Sequence, residues 1–332
     1  MRPGVRPAAA LLAGLLAAVL AGCTTAGHRH ARFAADPEIR LDASGSQIES
    51  AAIGSPAFDE AVLSWDIVLH DGASAALDAS VLQGGVWSGW LRVARRGAQV
   101  CIPPVREADS VRIDVDTVIC REPAEAIRWR VSACDGPVTV RSVWVTTTGV
   151  GRGGAWTEEP HPGPVAHAVP HKAQRDGGAE LGGRLCSPTA VAMVVESRGV
   201  PVGVGDMAER VYDADFDLYG NWVNNTLGAC ELGVPMRLTR IGSWAEARSF
   251  LEAGPIVVSL PPFRERELSG AGYSSASGHL IVISGLDEAG GVLVRDPAHA
   301  DAAGATRVYR RDQLTRLWLR ENKGTAYVLD PG

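Results

Sequence analysis

Lysine is almost missing from this chain of 332 residues, which has only Lys172 and Lys323. The remaining basic residues are arginines with no run among them, and 38 acidic residues outnumber 32 basic ones for a formal charge of −6. A nucleic-acid-binding surface needs a basic stripe to displace phosphate counterions, so that class is set aside. Aromatics are scarce at 6%, yet nine are tryptophan, enough to anchor two cores. The apolar run from Ala8 to Gly22 covers 15 residues, short of the roughly 20 that a membrane-spanning helix needs. With 46% hydrophobic and 21% charged residues, the balance is that of a folded protein. The length suggests about two domains.

The first 22 residues place Arg2 and Arg6 before the Ala/Leu/Val run. A basic start, an apolar middle and small residues at the end form a signal-peptide layout. The end, Leu20-Ala21-Gly22-Cys23, resembles the bacterial lipobox. That resemblance implies acylation of Cys23, which becomes the mature N-terminus, and a lipid-anchored protein on the extracytoplasmic face of the cell membrane. An ordinary secretory signal with a chance cysteine is the alternative. Export matters for the other cysteines, because disulfides persist outside the cytoplasm. Cys101, Cys120 and Cys134 lie in the first half and Cys186 and Cys230 in the second. Three in one domain allow at most one pair among them, and the sequence does not choose it.

Residues 23–55 are rich in Ala, Gly, Ser and His and are expected to form a tether. Over 56–148, the runs "AVLSWDIVLHDG", "WSGWLRVARRG", "VRIDVDTVI", "IRWRVSA" and "VTVRSVWVTTT" alternate and are separated by Gly, Asp and Pro. Alternation with β-branched residues predicts strands with one buried face, and their spacing predicts a β-sandwich. Residues 149–167, dominated by Gly and Pro, are expected to be a linker. From 168 to 332 the pattern is mixed. "SPTAVAMVVESRG" predicts a helix with Pro188 in its first turn and Gly199 just past its end. "SWAEARSFLEAG" opens on a capping box, Ser243 with Glu246. "PIVVSL", "HLIVISGL", "GVLVRDP", "ATRVY" and "TAYVLD" predict strands. Helices first and antiparallel-looking strands after them predict an α+β domain.

Cys186 stands where the predicted helix of residues 187–199 begins. A helix N-terminus carries partial positive charge and free N–H groups, which favour a thiolate and can also hold an oxyanion. Taken alone, Cys186 reads more readily as a small buried residue. His279 opens the strand "HLIVISGL" after a Gly/Ser-rich loop, where it could serve as base for a thiol. Asp296 ends the next strand and could orient His279 by accepting its second N–H. Gln174, twelve residues before Cys186, could supply an oxyanion donor from its amide. Each has a routine structural reading on its own; together they stand in the order Gln, Cys, His, Asp of papain-like cysteine peptidases.

At this point the chain resembles a known family. Residues 168–330 look like cysteine peptidase family thirty-nine, the bacteriocin-processing-like peptidases, in its stand-alone exported branch. The stretches that carry the resemblance are "AVPHKAQ", "LCSPTAVAMVVESRG", "YGNW", "GPIVVSL", "SGHLIVISGL", "VRDPA" and "AYVLDP". The family implies a papain-like α+β fold, peptide-bond hydrolysis, no metal and no cofactor. It also implies Cys186 as nucleophile, His279 as base, Asp296 as orienting acid and Gln174 as oxyanion donor. Members fused to transporters cut leader peptides after double glycine; no transporter or ATPase segment is seen here, so that substrate does not carry over. The first half also resembles, more weakly, a β-sandwich that precedes the peptidase in some exported relatives.

Asp213, Asp215 and Asp217 alternate in "DADFDLYGN", but Leu218 and Asn224 stand where an EF-hand loop wants Gly and Glu. Asn221 is expected to cap a helix through "WVNNTLGACELG", on which Cys230 is buried and inert; Trp222 either belongs to that helix's packing or walls the substrate cleft. The leading expectation is a membrane-tethered extracytoplasmic cysteine peptidase acting on a peptide or protein substrate. An amidase or acyltransferase on cell-wall or isopeptide bonds would use the same residues. A non-catalytic lipoprotein, binding a cell-surface glycan or protein through its sandwich, is the reading from a different class.

Overall fold

The computed structural model describes residues 24–25, 28–42, 44–98, 104–108, 110–150, 159–178, 180–271, 273 and 275–330. Cys23 and Cys101 lie outside the described residues, and so does the segment expected to be a signal peptide.

The first half is antiparallel β. Its main strands are β1 (His28–Leu41), β2 (Ile53–Leu69), β3 (Ser74–Gln83), β4 (Leu91–Arg96), β5 (Thr117–Asp135) and β6 (Val138–Gly149). They run side by side in the order β1-β6-β2-β5-β3, with β4 also on β3. In β5 the buried Ile127, Trp129, Val131 and Ala133 alternate with less buried Arg128, Arg130, Ser132 and Cys134, the period-2 pattern of a strand with one core face. Here the strands form one eleven-stranded sheet. Its long strands change register at bulges, between Ile119 and Ala126 in β5 and between Val140 and Ser142 in β6, and bulges bend strands.

Two boundary expectations need correction. The stretch 23–55 is not a tether throughout: β1 pairs with β6 along most of its length and Gln47–Glu49 pairs with β5. The sequence hid β1 because few of its residues with described side chains are buried; among those, Ala31 and Leu41 are the buried apolar ones. The expected linker of residues 149–167 also ends in structure. Val165–Ala166 adds to the second sheet opposite Gly285 and Leu286. Gly285 permits this, since a Cβ there would lie 2.0 Å from the Val165 carbonyl oxygen.

The second half opens with three helices, α1 (Cys186–Ser197), α2 (Val204–Val211) and α3 (Trp222–Glu231). It continues with β7 (Met236–Arg240), α4 (Trp244–Ala253), β8 (Ile256–Leu260), β9 (His279–Leu286), β10 (Val292–Arg295), β11 (Thr306–Tyr309) and β12 (Thr325–Leu329). The sheet order is β7-β12-β8-β9-β10-β11, antiparallel throughout, as the α+β expectation has it. Helix α1 is buried from Ser187 through Val195, which explains why its sequence shows no polar face: a helix apolar all round is a central one. It packs on β9 and against α2 and α3. The sheet's other face holds Trp244 and Trp318, whose rings meet edge to face at 5.5 Å. Among the described residues no helix is long and apolar enough to cross a membrane.

The two halves share one hydrophobic core that runs from Trp65 and Val143 to Val191 and Leu227. Helix α3 packs directly on β2. Polar contacts reinforce the join. Buried Arg240 meets Glu60 at 2.6 Å, and Lys323 pairs with the same carboxylate. Arg95 grips Asp215 through two hydrogen bonds of 2.8 and 2.6 Å, and Arg96 grips Glu231 through two of 2.8 and 2.7 Å. Asp116, on the turn before β5, accepts the Trp222 backbone N–H at 2.6 Å and so caps α3 from the other half.

Candidate active site

Cys186 is the first residue of α1, and the N-cap residue before it, Leu185, makes no side-chain cap. Its sulfur therefore sits beside backbone N–H groups that have no partner within the helix. It is half-buried, and the His279 side chain and the Leu280 and Ser187 backbone N–H groups lie where they favour its charged form. His279 begins β9, opposite Leu260 of β8. Gly278 before it has φ +121°, a conformation L residues rarely adopt, and turns the Gly/Ser-rich loop into the strand. Because α1 packs on β9, the helix start and the strand start meet.

Asp296 follows β10 and has no exposed surface. Its Oδ1 accepts His279 Nε2 at 2.8 Å and the Ala298 N–H at 2.9 Å. With Nε2 engaged, Nδ1 is the ring nitrogen left for Cys186. Asp296 Oδ2 accepts hydroxyls from Tyr273 at 2.9 Å and Tyr309 at 2.8 Å. Sequence reasoning missed both tyrosines, since nothing in their spacing ties a loop residue and a strand residue to one carboxylate.

The electrostatics follow from this geometry. Burial pushes the Cys186 thiol up, but the hydrogen bond and charge of His279 and the Leu280 and Ser187 N–H groups outweigh it, and its pKa falls below the ordinary value. Burial opposes charge on His279, yet Asp296 and Cys186 raise it to about 10. Burial also works against ionised Asp296, but His279, the Ala298 N–H and the Tyr309 hydroxyl hold it down to about 2. Lowered thiol and raised imidazole favour a thiolate–imidazolium pair.

Gln174 starts a short 3-10 turn, Gln174–Gly177, and its N–H donates to the Pro297 carbonyl at 2.8 Å, beside Asp296. Among the described residues its buried side-chain Oε1 has no partner. The turn packs on Leu185, the residue before Cys186: a Cβ at Gly177 would lie 2.4 Å from Leu185 Cδ1.

Other sequence candidates fall elsewhere. Asp215 and Asp217 pair with Arg95 and Arg184, and Asp213 accepts from Asn221 at 2.7 Å. Asn221 does cap α3, accepting the Asn224 N–H at 3.0 Å. Trp222 opens α3 and packs half-buried against the core. Cys230 is buried and its thiol is pushed up by burial. Cys134 is disulfide-bonded, while Cys120, Cys186 and Cys230 are free; the partner of Cys134 lies outside the described residues. Among the described residues, no three metal-ligating side chains cluster. A concavity of about 880 Å³ bordered by Trp244, Asp287, Arg310, Arg311 and Arg316 includes none of the candidate residues. Its arginines are already engaged, Arg310 by Asp312, Arg316 by Glu267 and Glu321, and Arg311 by the Glu159 and Pro160 carbonyls.

No curated protein matches the chain. One similar solved structure is the crystal structure of a double glycine motif protease from an AMS/PCAT transporter in complex with the leader peptide. It is 15% identical with a TM-score of 0.35, and the match covers 51% of this chain and 98% of that one. Residues 166–326 match the model of the Peptidase_C39 like family, and that stretch is the one in which Cys186, His279 and Asp296 meet.

Proposed function

We propose that this chain is a cysteine peptidase that cleaves peptide bonds through Cys186, His279 and Asp296. The observation that carries the reading is the 2.8 Å contact of His279 Nε2 with buried Asp296, which leaves Nδ1 for a cysteine at a helix N-terminus. The match of residues 166–326 to the Peptidase_C39 like family model supports it. His279 takes the Cys186 proton, and the thiolate attacks the peptide carbonyl carbon. The Cys186 backbone N–H and the Gln174 amide hydrogen-bond the oxyanion. Imidazolium then protonates the leaving amine and a thioester acyl-enzyme remains. Water, deprotonated by His279, attacks the thioester, releases the acid and restores the thiol. Asp296 stays ionised and orients the ring throughout.

The proposal extends to location. Cys23 carries a lipid anchor that holds the folded part at the extracytoplasmic face, and the disulfide at Cys134 suits an oxidising compartment. The bulged sheet of the first half closes over its own core as a sandwich and braces α3.

Incubation of the full chain with a peptide library, read by mass spectrometry, tests the activity. Hydrolysis is expected for wild type and not for Cys186→Ala. Equal cleavage by both, or none by a well-folded wild type whose Cys186 is reactive, would count against peptide hydrolysis; in the second case, release from cell-wall amides would move the reading to an amidase.

A further inference from the structure

We propose that Tyr273 and Tyr309 are positioning residues of this site, whose hydroxyls together keep the Asp296 carboxylate ionised and aimed at His279. The proposal rests on the Cys186–His279–Asp296 reading above and deepens it. Among the described residues the two hydroxyls are the partners of Oδ2, just as His279 and the Ala298 N–H are those of Oδ1. Asp296 has no exposed surface, so no solvent shell replaces a donor that is lost. An ionised oxygen buried without donors is strongly disfavoured.

The two donors come from different kinds of structure. Tyr309 is buried at the end of β11, which pairs with β10 just before Asp296. Tyr273 belongs to the Gly/Ser-rich loop that precedes His279. Its ring stands edge-on to the His279 ring at 5.5 Å and lies 5.9 Å from the Phe263 ring. The loop is held in turn by His299 Nε2, which donates to the Ala271 carbonyl at 2.9 Å. Seating this loop therefore completes the coordination of Asp296. The titratable and charged groups around the carboxylate are His279, the two tyrosines, His299 beside Tyr273 and Arg307 near Tyr309.

Phenylalanine removes each hydroxyl and keeps the ring. Losing a hydrogen bond to the charged form raises a buried carboxyl by about one pH unit or more. Asp296 then protonates in mild acid and His279 loses its counter-charge. The test is the rate of Cys186 alkylation by iodoacetamide against pH, on the full chain with the other free cysteines replaced. The acid limb is expected to move to higher pH by at least about one unit in Tyr273→Phe/Tyr309→Phe. Each single variant should move it by less, and those carry the test if the double variant does not fold. A purely packing role would lower the melting temperature and leave the limb in place; an unmoved limb in folded variants overturns the inference alone. If wild type itself shows no limb that depends on His279, the peptidase reading falls with it.

Discussion

The clearest stability consequence of the join between the halves concerns Asp116. Its carboxyl is almost wholly buried, and burial raises it from 3.8 to about 7, against the Trp222 N–H and Thr117 hydroxyl bonds that favour its charge. Native Asp116 thus binds a proton that the unfolded chain has already released between about pH 4 and pH 7. Its stabilising contribution is complete below the unfolded value and is lost as pH rises through about 7. At about 1.36 kcal/mol per pH unit, the gap from 3.8 to about 7 makes the ionised group cost about 4 kcal/mol at pH 8. Against this, a negative charge at a helix N-terminus contributes about 0.3–1 kcal/mol, at most about 2. Burial should win. Asp116→Asn keeps an acceptor for the Trp222 N–H and removes the charge. The variant should match wild type within about 1 kcal/mol near pH 4.5 and become more stable by up to about 4 kcal/mol by pH 8. Urea unfolding followed by tryptophan fluorescence across that range measures the difference. A stability difference that does not change with pH would refute the reasoning, and one that favours wild type at pH 8 would show that the carboxylate caps α3 as an anion.

Two further outcomes follow from the site and the N-terminus. Gln174→Ala should lower turnover by about 10²–10³-fold, the usual cost of one oxyanion donor, while iodoacetamide still labels Cys186; steady-state hydrolysis and mass-spectrometric labelling on one sample check both. Cys23→Ala should shift the protein from the membrane pellet to an unprocessed or soluble form on fractionation, and a wild-type mature chain without lipid on Cys23 would contradict the anchor.

Much of the second half was legible in the sequence because its signals are local. Asn221 caps α3, Gly199 takes the positive φ that ends α1, and His279 opens a strand as its loop predicted. The capping box at α4 is half right. Ser243 accepts the Glu246 N–H at 3.0 Å, but the Glu246 carboxylate accepts the Gly242 N–H and pairs with His30 of β1. Tertiary contact displaced a local partner. Strand β1 escaped for a related reason: its place depends on pairing with β6, more than 90 residues away, and a thinly apolar edge strand has no periodicity to read. The shared core and the Asp116 cap join residues of separate predicted domains, where spacing rules have no reach. The tyrosines on Asp296 belong to the same class, since topology alone brings Tyr273 and Tyr309 to one oxygen.

The central claim is that Cys186 and His279 form one reactive pair, and the pH profile of Cys186 alkylation in wild type and His279→Ala tests it most directly. Wild type should react with iodoacetamide well below the pH at which an ordinary thiol, pKa about 8.5, becomes reactive. In His279→Ala the profile should move up towards or beyond that value, because the imidazolium that opposed burial is gone. An identical profile in the two folded proteins would mean that the side chains do not communicate, and Cys186 would be an ordinary cysteine at a helix start.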